Sequence, residues 1–204
     1  DMLVVSARES GEADATEGLS LFLVPKDAKG LTVQGYALLA GGRAAEVTLD
    51  DVKVSSDARL GAAGKAAKAI KARIATACVA QSAETLGAME TACSLTREYL
   101  MTRKQFGRPI GSFQALAHRM SDLLIEMEQA RSAVINAAGH LDGDPPTRDR
   151  HIAAVKNLMG RAGRLVAEDA IQIPPPFAPP KPRDLTPWNA IGLTPRRPQR
   201  SQPL

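Results

Sequence analysis

The stretch from Thr102 to Gln114 constrains the fold most, because it interrupts two long runs of helical character. It holds two glycines, one proline, two phenylalanines and three cations. Most connections between helices are short and polar, so this one carries more chemistry than a turn requires. Arg103 and Arg108 could grip an anion, and Phe106 and Phe113 could cover something flat. We interpret the stretch as a ligand-holding loop; the alternative is a capped turn with two core phenylalanines.

The sequence around this loop has helical periodicity, with apolar residues recurring every three or four positions. Ser112 is the predicted N-cap of the helix that follows the loop, and Thr147 caps the next one after the break at 142–146. Three long helices joined by short connections predict a helical bundle, without the fourth helix that usually completes one. The helices are predicted over about 65–102, 113–141 and 148–173.

Each predicted helix has an apolar stripe that should face a common core. The predicted core residues are Ile70, Ile74, Cys78, Leu86, Met89, Cys93 and Leu100 in the first helix, Phe113, Leu116, Met120, Leu123, Leu124, Met127, Val134, Ala138 and Leu141 in the second, and Ile152, Val155, Leu158, Met159, Leu165, Val166 and Ala170 in the third.

Residues 1–59 have the short apolar runs of strands instead. Gly41 and Gly42 supply the positive φ angles of a tight hairpin, and Asp50–Asp51 indicates a bulge. Together these runs predict one small antiparallel sheet. Four strands are a poor independent domain, since a sheet needs a covered apolar face. The predicted strands cover 2–8, 19–24, 31–40 and 44–54.

Residues 174–204 differ in composition from everything before them. They contain ten of the 14 prolines and five Lys and Arg against one Asp, which accounts for the formal net charge of +4. The composition predicts polyproline II or a disordered tail. Because the remainder is neutral, the basic pI does not indicate a nucleic-acid-binding surface.

Cys78 and Cys93 lie on one predicted helix, about 22 Å apart at the rise of an α-helix. A disulfide needs Cα atoms within about 7 Å, so the two thiols should stay unpaired as small core residues. Free thiols predict a reducing, cytoplasmic location. No Cys/His spacing is typical of zinc sites, and no apolar run approaches the roughly 20 residues of a membrane span.

The order of sheet, long helix, Arg-Lys-Gln-Phe-Gly loop and two further long helices resembles the acyl-CoA dehydrogenase family. The match is closest over 99–114 and continues through 118–122 and 126–131. Residues 19–60 resemble the second half of that family's middle β domain. The resemblance implies an α+β fold, with a fragment of an antiparallel β domain over 1–60 and an incomplete C-terminal helical bundle over 61–173.

The resemblance also implies a function. Family members bind FAD and oxidise the Cα–Cβ bond of an acyl-CoA thioester to the 2-enoyl-CoA; a carboxylate takes the α proton and the flavin takes a hydride. Electron-transfer flavoprotein is then the expected acceptor, and homo- or hetero-oligomers share FAD across their interface. The alternative is a non-catalytic helical subunit that completes a partner's FAD site or serves in oligomerisation.

The family's cofactor contacts can be placed on the loop residue by residue. Arg103 matches an arginine that contacts the FAD pyrophosphate, and Gln105 a position that hydrogen-bonds the cofactor. Phe106 matches a residue beside the adenosine. Phe113 and Gln114 match the pair at the start of the next helix, with Gln114 near the adenine. Core packing for the phenylalanines and helix capping for Gln114 remain alternatives.

At the end of the third helix, Ile171 and Gln172 match the start of the family's Gln-x-x-Gly-Gly segment, which also contacts FAD. Capping of the helix is the alternative role for Gln172. The match stops there, because this chain has prolines at 174–176 where the family has glycines.

No catalytic residue is predicted in this chain. The family's usual carboxylate lies beyond the glycine segment. Its alternative position corresponds to about 75–79, where Ala, Thr, Ala, Cys and Val offer no suitable base. Glu126 and Glu128 are interpreted as parts of a solvated face, and His118 as structural. Glu84 has no assigned role.

Overall fold

The computed structural model describes residues 1–38 and 41–173. Contacts divide the chain into two compact units, Asp1–Ala75 and a helical unit that starts at Thr76. The predicted disordered tail lies outside the described residues, and the domain boundaries at 60 and 173 stay predictions. Within the described residues, no helix has the length and apolar character needed to cross a membrane.

The first unit contains two antiparallel sheets, where the sequence had predicted one. Strands β1 (Met2–Arg8), β2 (Leu19–Pro25) and β5 (Arg59–Leu60) form one sheet in the order β1-β2-β5. Strands β3 (Leu31–Ala37) and β4 (Arg43–Leu49) form a separate hairpin. The single-sheet prediction was wrong because β2 pairs on its second edge with β5, far along the chain, rather than with its neighbour β3.

Turn chemistry sets the limits of the β3–β4 hairpin. Gly41 and Gly42 have φ angles of 92° and 81°, as predicted. The predicted bulge at Asp50–Asp51 is wrong: β4 ends at Leu49, and Asp51 takes a positive φ of 46°. At the open end of the hairpin, Gly30 allows the two chain segments to lie close together, since a Cβ there would lie 2.1 Å from the Asp50 carbonyl oxygen.

A buried hydroxyl joins three segments of the first unit. The Ser20 Oγ accepts a hydrogen bond from the Gly64 N–H at 2.8 Å and donates to Glu9. Arg59 Nη1 donates to the other Glu9 oxygen at 3.1 Å. The Ser20 hydrogen bond is the largest cause of the lowered pKa of Glu9, and Arg59 adds to it. The carboxylate is therefore held in its charged form.

Three helices form the second unit, as predicted: α1 (Ala67–Thr102, which begins in the first unit), α2 (Gln114–Gly139) and α3 (Pro145–Gln172). Interhelical ion pairs run from Arg131 to Glu90 and from Arg161 to Glu126. Hydrogen bonds to Glu90 and Glu128 raise the pKa of Arg131, and the one to Glu90 has the larger effect. With the short connections, this pairing makes consecutive helices antiparallel.

The helix caps differ from the predicted ones. The N-cap of α2 is Phe113, whereas the Ser112 hydroxyl donates to the Pro109 carbonyl at 2.7 Å inside a 3₁₀ turn (Ile110–Ser112). The N-cap of α3 is Asp144, whose carboxylate accepts from the Thr147 N–H at 3.1 Å. Two prolines fit the first turn of α3 because its N–H groups need no intrahelical partner.

The core is built more from small residues than the sequence stripes predicted. Ile74, Leu124, Ala138 and Leu165 are exposed, although they were predicted to be buried. Alanines take core positions instead and allow the helices to approach closely. The central buried residues are Met89, Ala92, Leu123, Ala130, Val155, Ala162, Val166 and Ala170.

The two cysteines are free, as predicted, but only one is a core residue. Cys93 is 2 % exposed, and burial raises the pKa of its thiol to about 11. Cys78 is only half-buried.

Candidate functional site

Antiparallel packing brings the ends of three helices to one end of the helical unit. α1 stops at Thr102, α2 starts at Gln114, and α3 stops at Gln172. A hydrogen bond of 3.2 Å from Arg119 on α2 to Gln172 on α3 joins two of these ends directly. The connection 103–113 leaves from the same place, so the structure gathers every predicted cofactor-contacting residue at this end.

The connection is a miniature hairpin on a fixed base. Strands β6 (Lys104–Gln105) and β7 (Arg108–Pro109) pair antiparallel. The turn residues Phe106 and Gly107 have φ angles of 51° and 79°, as a type I′ turn requires. At the base, the Ile110 N–H donates to the Arg103 carbonyl at 2.8 Å. The hairpin therefore presents its tip from a defined position.

Gly111 lets the base of the hairpin lie close to α1. A Cβ at this position would lie 3.0 Å from the Leu100 carbonyl oxygen, tighter than ordinary packing allows. Leu100 itself is buried in the helical core. The hairpin is thus seated against the last turn of α1.

Two aromatic rings and a guanidinium group form the surface of the hairpin. Phe113 packs partly against the core, and the Phe106 ring meets it edge-on with centroids 6.1 Å apart. The Arg108 guanidinium carbon lies 4.3 Å from the Phe113 centroid, within the range of a cation–π contact. Phe106 is 89 % exposed, so core packing accounts for part of Phe113 and for none of Phe106.

Two of the three hairpin cations have no partner among the described residues. Arg103, Lys104 and Arg108 are all exposed. Among the residues that the structure describes, the side chains of Arg103 and Lys104 form no hydrogen bond or ion pair. An exposed guanidinium can bind two phosphate oxygens at once. Gln105 and Gln114 are exposed beside these cations.

Gln172 is held by side chains rather than used as a helix cap. Arg119 Nη2 donates to its Oε1, and the same guanidinium nitrogen pairs with Asp169 one turn earlier on α3. Neither Arg119 nor Asp169 was predicted from the sequence. No local sequence pattern indicates these contacts, because Asp169 and Gln172 lie 50 and 53 residues after Arg119 along the chain.

Of the other residues considered in the sequence, Glu126 differs most from expectation. It is not on a solvated face: its side chain is 16 % exposed, and Oε1 accepts from Arg161 Nη1 at 2.8 Å. Its Oε2 is buried and makes no hydrogen bond to any described residue. Glu128 is exposed and paired with Arg131, as its solvated-face interpretation implies. His118 is exposed.

A concavity of about 560 Å³ lies between α1 and α3. Its polar lining includes Glu84 and Cys78 on α1 and Lys156, Arg164 and Glu168 on α3. Arg164 and Glu168 pair with each other at 2.7 Å. The concavity contains Glu84, to which the sequence assigned no role and which lies 19 residues before Arg103 along the chain.

The donor set at the hairpin end fits a dinucleotide. A free guanidinium suits a pyrophosphate, an exposed ring offers a flat apolar face, and amide groups can pair with the edge of a base. Arg108 is less available than Arg103, since it already lies over Phe113. The residues present thus match FAD in chemistry, with phosphate contacts expected at Arg103.

Known proteins resemble this chain in sequence. Residues 67–174 match the family model described as acyl-CoA dehydrogenase, C-terminal domain. A probable acyl-CoA dehydrogenase of Bacillus subtilis is 30 % identical over 84 % of this chain and 46 % of its own length. The chain therefore spans about half the length of the curated relatives it matches.

Solved structures show the same resemblance. Butyryl-CoA dehydrogenase from Megasphaera elsdenii superimposes with a TM-score of 0.80 at 25 % identity, over 94 % of this chain and 51 % of that one. The ChsE4–ChsE5 complex of Mycobacterium tuberculosis gives 0.70 at 29 % identity, over 85 % of this chain and 44 % of the matched chain.

Proposed function

The chain belongs to the acyl-CoA dehydrogenase family, and from this premise we propose that it serves FAD-dependent dehydrogenation of an acyl-CoA thioester. The reaction would convert the Cα–Cβ single bond of the acyl group to the 2-enoyl-CoA. One observation carries the proposal: the hairpin holds a guanidinium, Arg103, that no described residue pairs, beside an exposed ring, Phe106. That combination suits the phosphates and the adenosine of FAD.

Each hairpin residue has a defined task in this proposal. Arg103 donates hydrogen bonds to pyrophosphate oxygens, and its charge offsets theirs. Phe106 packs against the adenosine and keeps water from it. Gln105 and Gln114 exchange hydrogen bonds with the cofactor, Gln114 at the adenine. Phe113 packs edge-on against the Phe106 ring and holds it in place. When bound, FAD supplies the acceptor for the hydride.

The α proton needs a base, and we infer that residues 1–38 and 41–173 do not supply it. The positions 75–79 carry no carboxylate. Glu90, further along the same helix, is occupied by Arg131 at 2.8 Å. Its Oε1 is engaged by that guanidinium, so the carboxylate is poorly placed to take a proton from a substrate carbon. The isolated chain should therefore bind FAD without turning over substrate.

The proposal includes partners. The hairpin residues lie on the outside of the helical unit, so a cofactor held there is open to a second protein chain. A homo- or hetero-oligomer that shares FAD across its interface supplies the missing contacts, and the similar ChsE4–ChsE5 structure is itself a complex of two proteins. Acyl-CoA is the proposed substrate and electron-transfer flavoprotein the proposed acceptor; a cytoplasmic location remains a prediction.

A second candidate is a non-catalytic helical subunit that lends the hairpin to a partner's FAD site. The same exposed hairpin and the absence of a carboxylate at positions 75–79 favour it. The two candidates differ in one observation. A chain that binds FAD by itself is part of the dehydrogenase with its own cofactor site, whereas a chain that acquires FAD only with a partner is the subunit.

The Arg103→Met variant tests the proposed FAD site. The full chain is titrated with FAD, and quenching of flavin fluorescence gives the affinity. Losing a charge-assisted contact should weaken binding about ten-fold or more. Arg150→Met, an exposed arginine in the first turns of α3 at the opposite end, removes the same charge and should leave the affinity unchanged. Equal losses in both variants would reject Arg103 as a phosphate ligand.

A further inference from the structure

We propose that Arg119 is a positioning residue that fixes the Gln172 side chain as a hydrogen-bond donor toward FAD. The inference rests on the proposed function, because it assigns a role at the same site. It adds Arg119, which the sequence does not indicate. It also says which side of the Gln172 amide faces the cofactor, which the family resemblance does not specify.

The geometry ties the amide to a rigid partner. Arg119 lies in the second turn of α2 and Gln172 in the last turn of α3. Arg119 Nη2 lies 3.2 Å from Gln172 Oε1. The guanidinium is itself anchored by Asp169, whose side chain is only 18 % exposed, compared with 37 % for Arg119. Packing of α2 on α3 therefore holds the donor that faces the amide.

The chemistry of arginine fixes which way the amide faces. A guanidinium has only N–H donors, so the amide group must present its oxygen to Arg119. The NH₂ group of Gln172 is then left on the other side, with two donors and no partner among the described residues. A ligand atom at that place must be an acceptor. The phosphate oxygens, ring nitrogens and ribose oxygens of the ADP half of FAD meet this requirement.

Without Arg119, the amide can rotate and offer either edge. Its rotamers are then free, and binding must order them at a cost in entropy. Arg119→Met keeps an unbranched apolar side chain and removes every donor. The variant should therefore loosen Gln172 and weaken FAD binding through Gln172 alone.

A matched ion pair separates positioning from stability. Arg161 and Glu126 join the same two helices about two turns away, and Glu126 is as buried as Asp169, at 16 % exposure. Arg161→Met should destabilise the helical unit as Arg119→Met does. It has no contact with Gln172, so it should leave the amide and the FAD affinity unchanged.

The first measurement needs no cofactor. The ¹⁵N relaxation of the Gln172 side-chain amide is recorded by NMR in the full chain and in both variants. We expect a restrained amide in the wild type and in Arg161→Met, and a mobile one in Arg119→Met. An amide that is equally mobile in the wild type and in Arg119→Met would overturn the inference, whatever the protein binds.

The second measurement is a double-mutant cycle with FAD as the ligand. Arg119→Met should lower FAD affinity about three- to ten-fold, the range of one oriented hydrogen bond. In a Gln172→Ala background it should cause no further loss. A full loss in that background, or an equal loss in Arg161→Met, contradicts positioning. Failure of the wild type to bind FAD, alone or with a partner, instead refutes the proposed function, and the NMR result still decides whether Arg119 restrains the Gln172 amide.

Discussion

At the scale of single residues, Phe106 combines two unfavourable features. Its φ of 51° is uncommon for a bulky residue, and its ring is 89 % exposed. The next residue is Gly107, and the β6–β7 ladder closes the turn around both. A conformation of this kind persists only where its surroundings determine it, and such positions concentrate at binding sites. The exposed ring is therefore a reason to look for a ligand at the hairpin.

The two thiols give a prediction at the same scale. Cys93 is buried, and its pKa of about 11 leaves about one molecule in a thousand as thiolate at pH 8. Cys78 is half-buried and reachable. A thiol reagent at pH 8 should label one cysteine per native chain and the second only in denaturant. Cys78→Ser should abolish the fast reaction; a fast reaction that survives this substitution contradicts the burial of Cys93.

At the scale of elements, long periodic segments were predictable and junctions were not. The three helices lie within a few residues of their predicted bounds because periodicity over more than twenty residues outweighs local ambiguity. The predicted caps were wrong: α2 begins after Phe113, a residue type that cap preferences do not favour, and α3 is capped by Asp144, three residues before Thr147. Pairing of β2 with β5 depends on Leu21 meeting Leu60, which no local pattern encodes.

At the candidate site too, consecutive residues were easier to predict than contacts between distant ones. The family motif indicated the hairpin residues, because they are consecutive and their spacing is specific. The contact between Arg119 and Gln172 required the packing of α2 on α3, which the sequence does not specify directly. The position of the hairpin residues could be predicted and their roles stay predictions, whereas the contact that holds Gln172 could not be predicted.

The cap of α3 gives the prediction at this scale. Asp144 accepts from the Thr147 N–H, and this hydrogen bond is the largest cause of its lowered pKa. Asp144→Ala should lower the midpoint of thermal unfolding at pH 7 by about 2 to 4 °C. A carboxylate with a lowered pKa stabilises the fold above its unfolded-state pKa and loses this effect as pH falls through the folded value. The difference from wild type should therefore shrink toward pH 3.

Asp142→Ala is the control for this experiment, because Asp142 is an exposed carboxylate in the same connection that caps no helix. It should leave the midpoint nearly unchanged. A gap between Asp144→Ala and wild type that stays constant from pH 7 to pH 3 would show that the charge of the cap does not matter.

At the scale of the whole molecule, charge and site are separated along the chain. The hairpin concentrates three cations at one end of the helical unit, while residues 1–173 as a whole carry 21 Lys and Arg against 21 Asp and Glu. A neutral body with a local cationic patch suits one phosphate-bearing ligand better than a long polyanion, whose binding scales with the number of cations. This separation supports the choice of a dinucleotide over a nucleic acid.

A chain that ends at Ile173 tests this separation. The truncation lowers the formal net charge from +4 to zero and keeps Arg103, Phe106 and Gln172. Retention on a cation exchanger at pH 7, and any salt-sensitive binding to DNA, should fall sharply, because residues 174–204 carry the excess charge. FAD affinity should change less than about two-fold, since the hairpin donors remain. DNA binding that survives the truncation would place a polyanion site on the folded residues and count against the dinucleotide assignment.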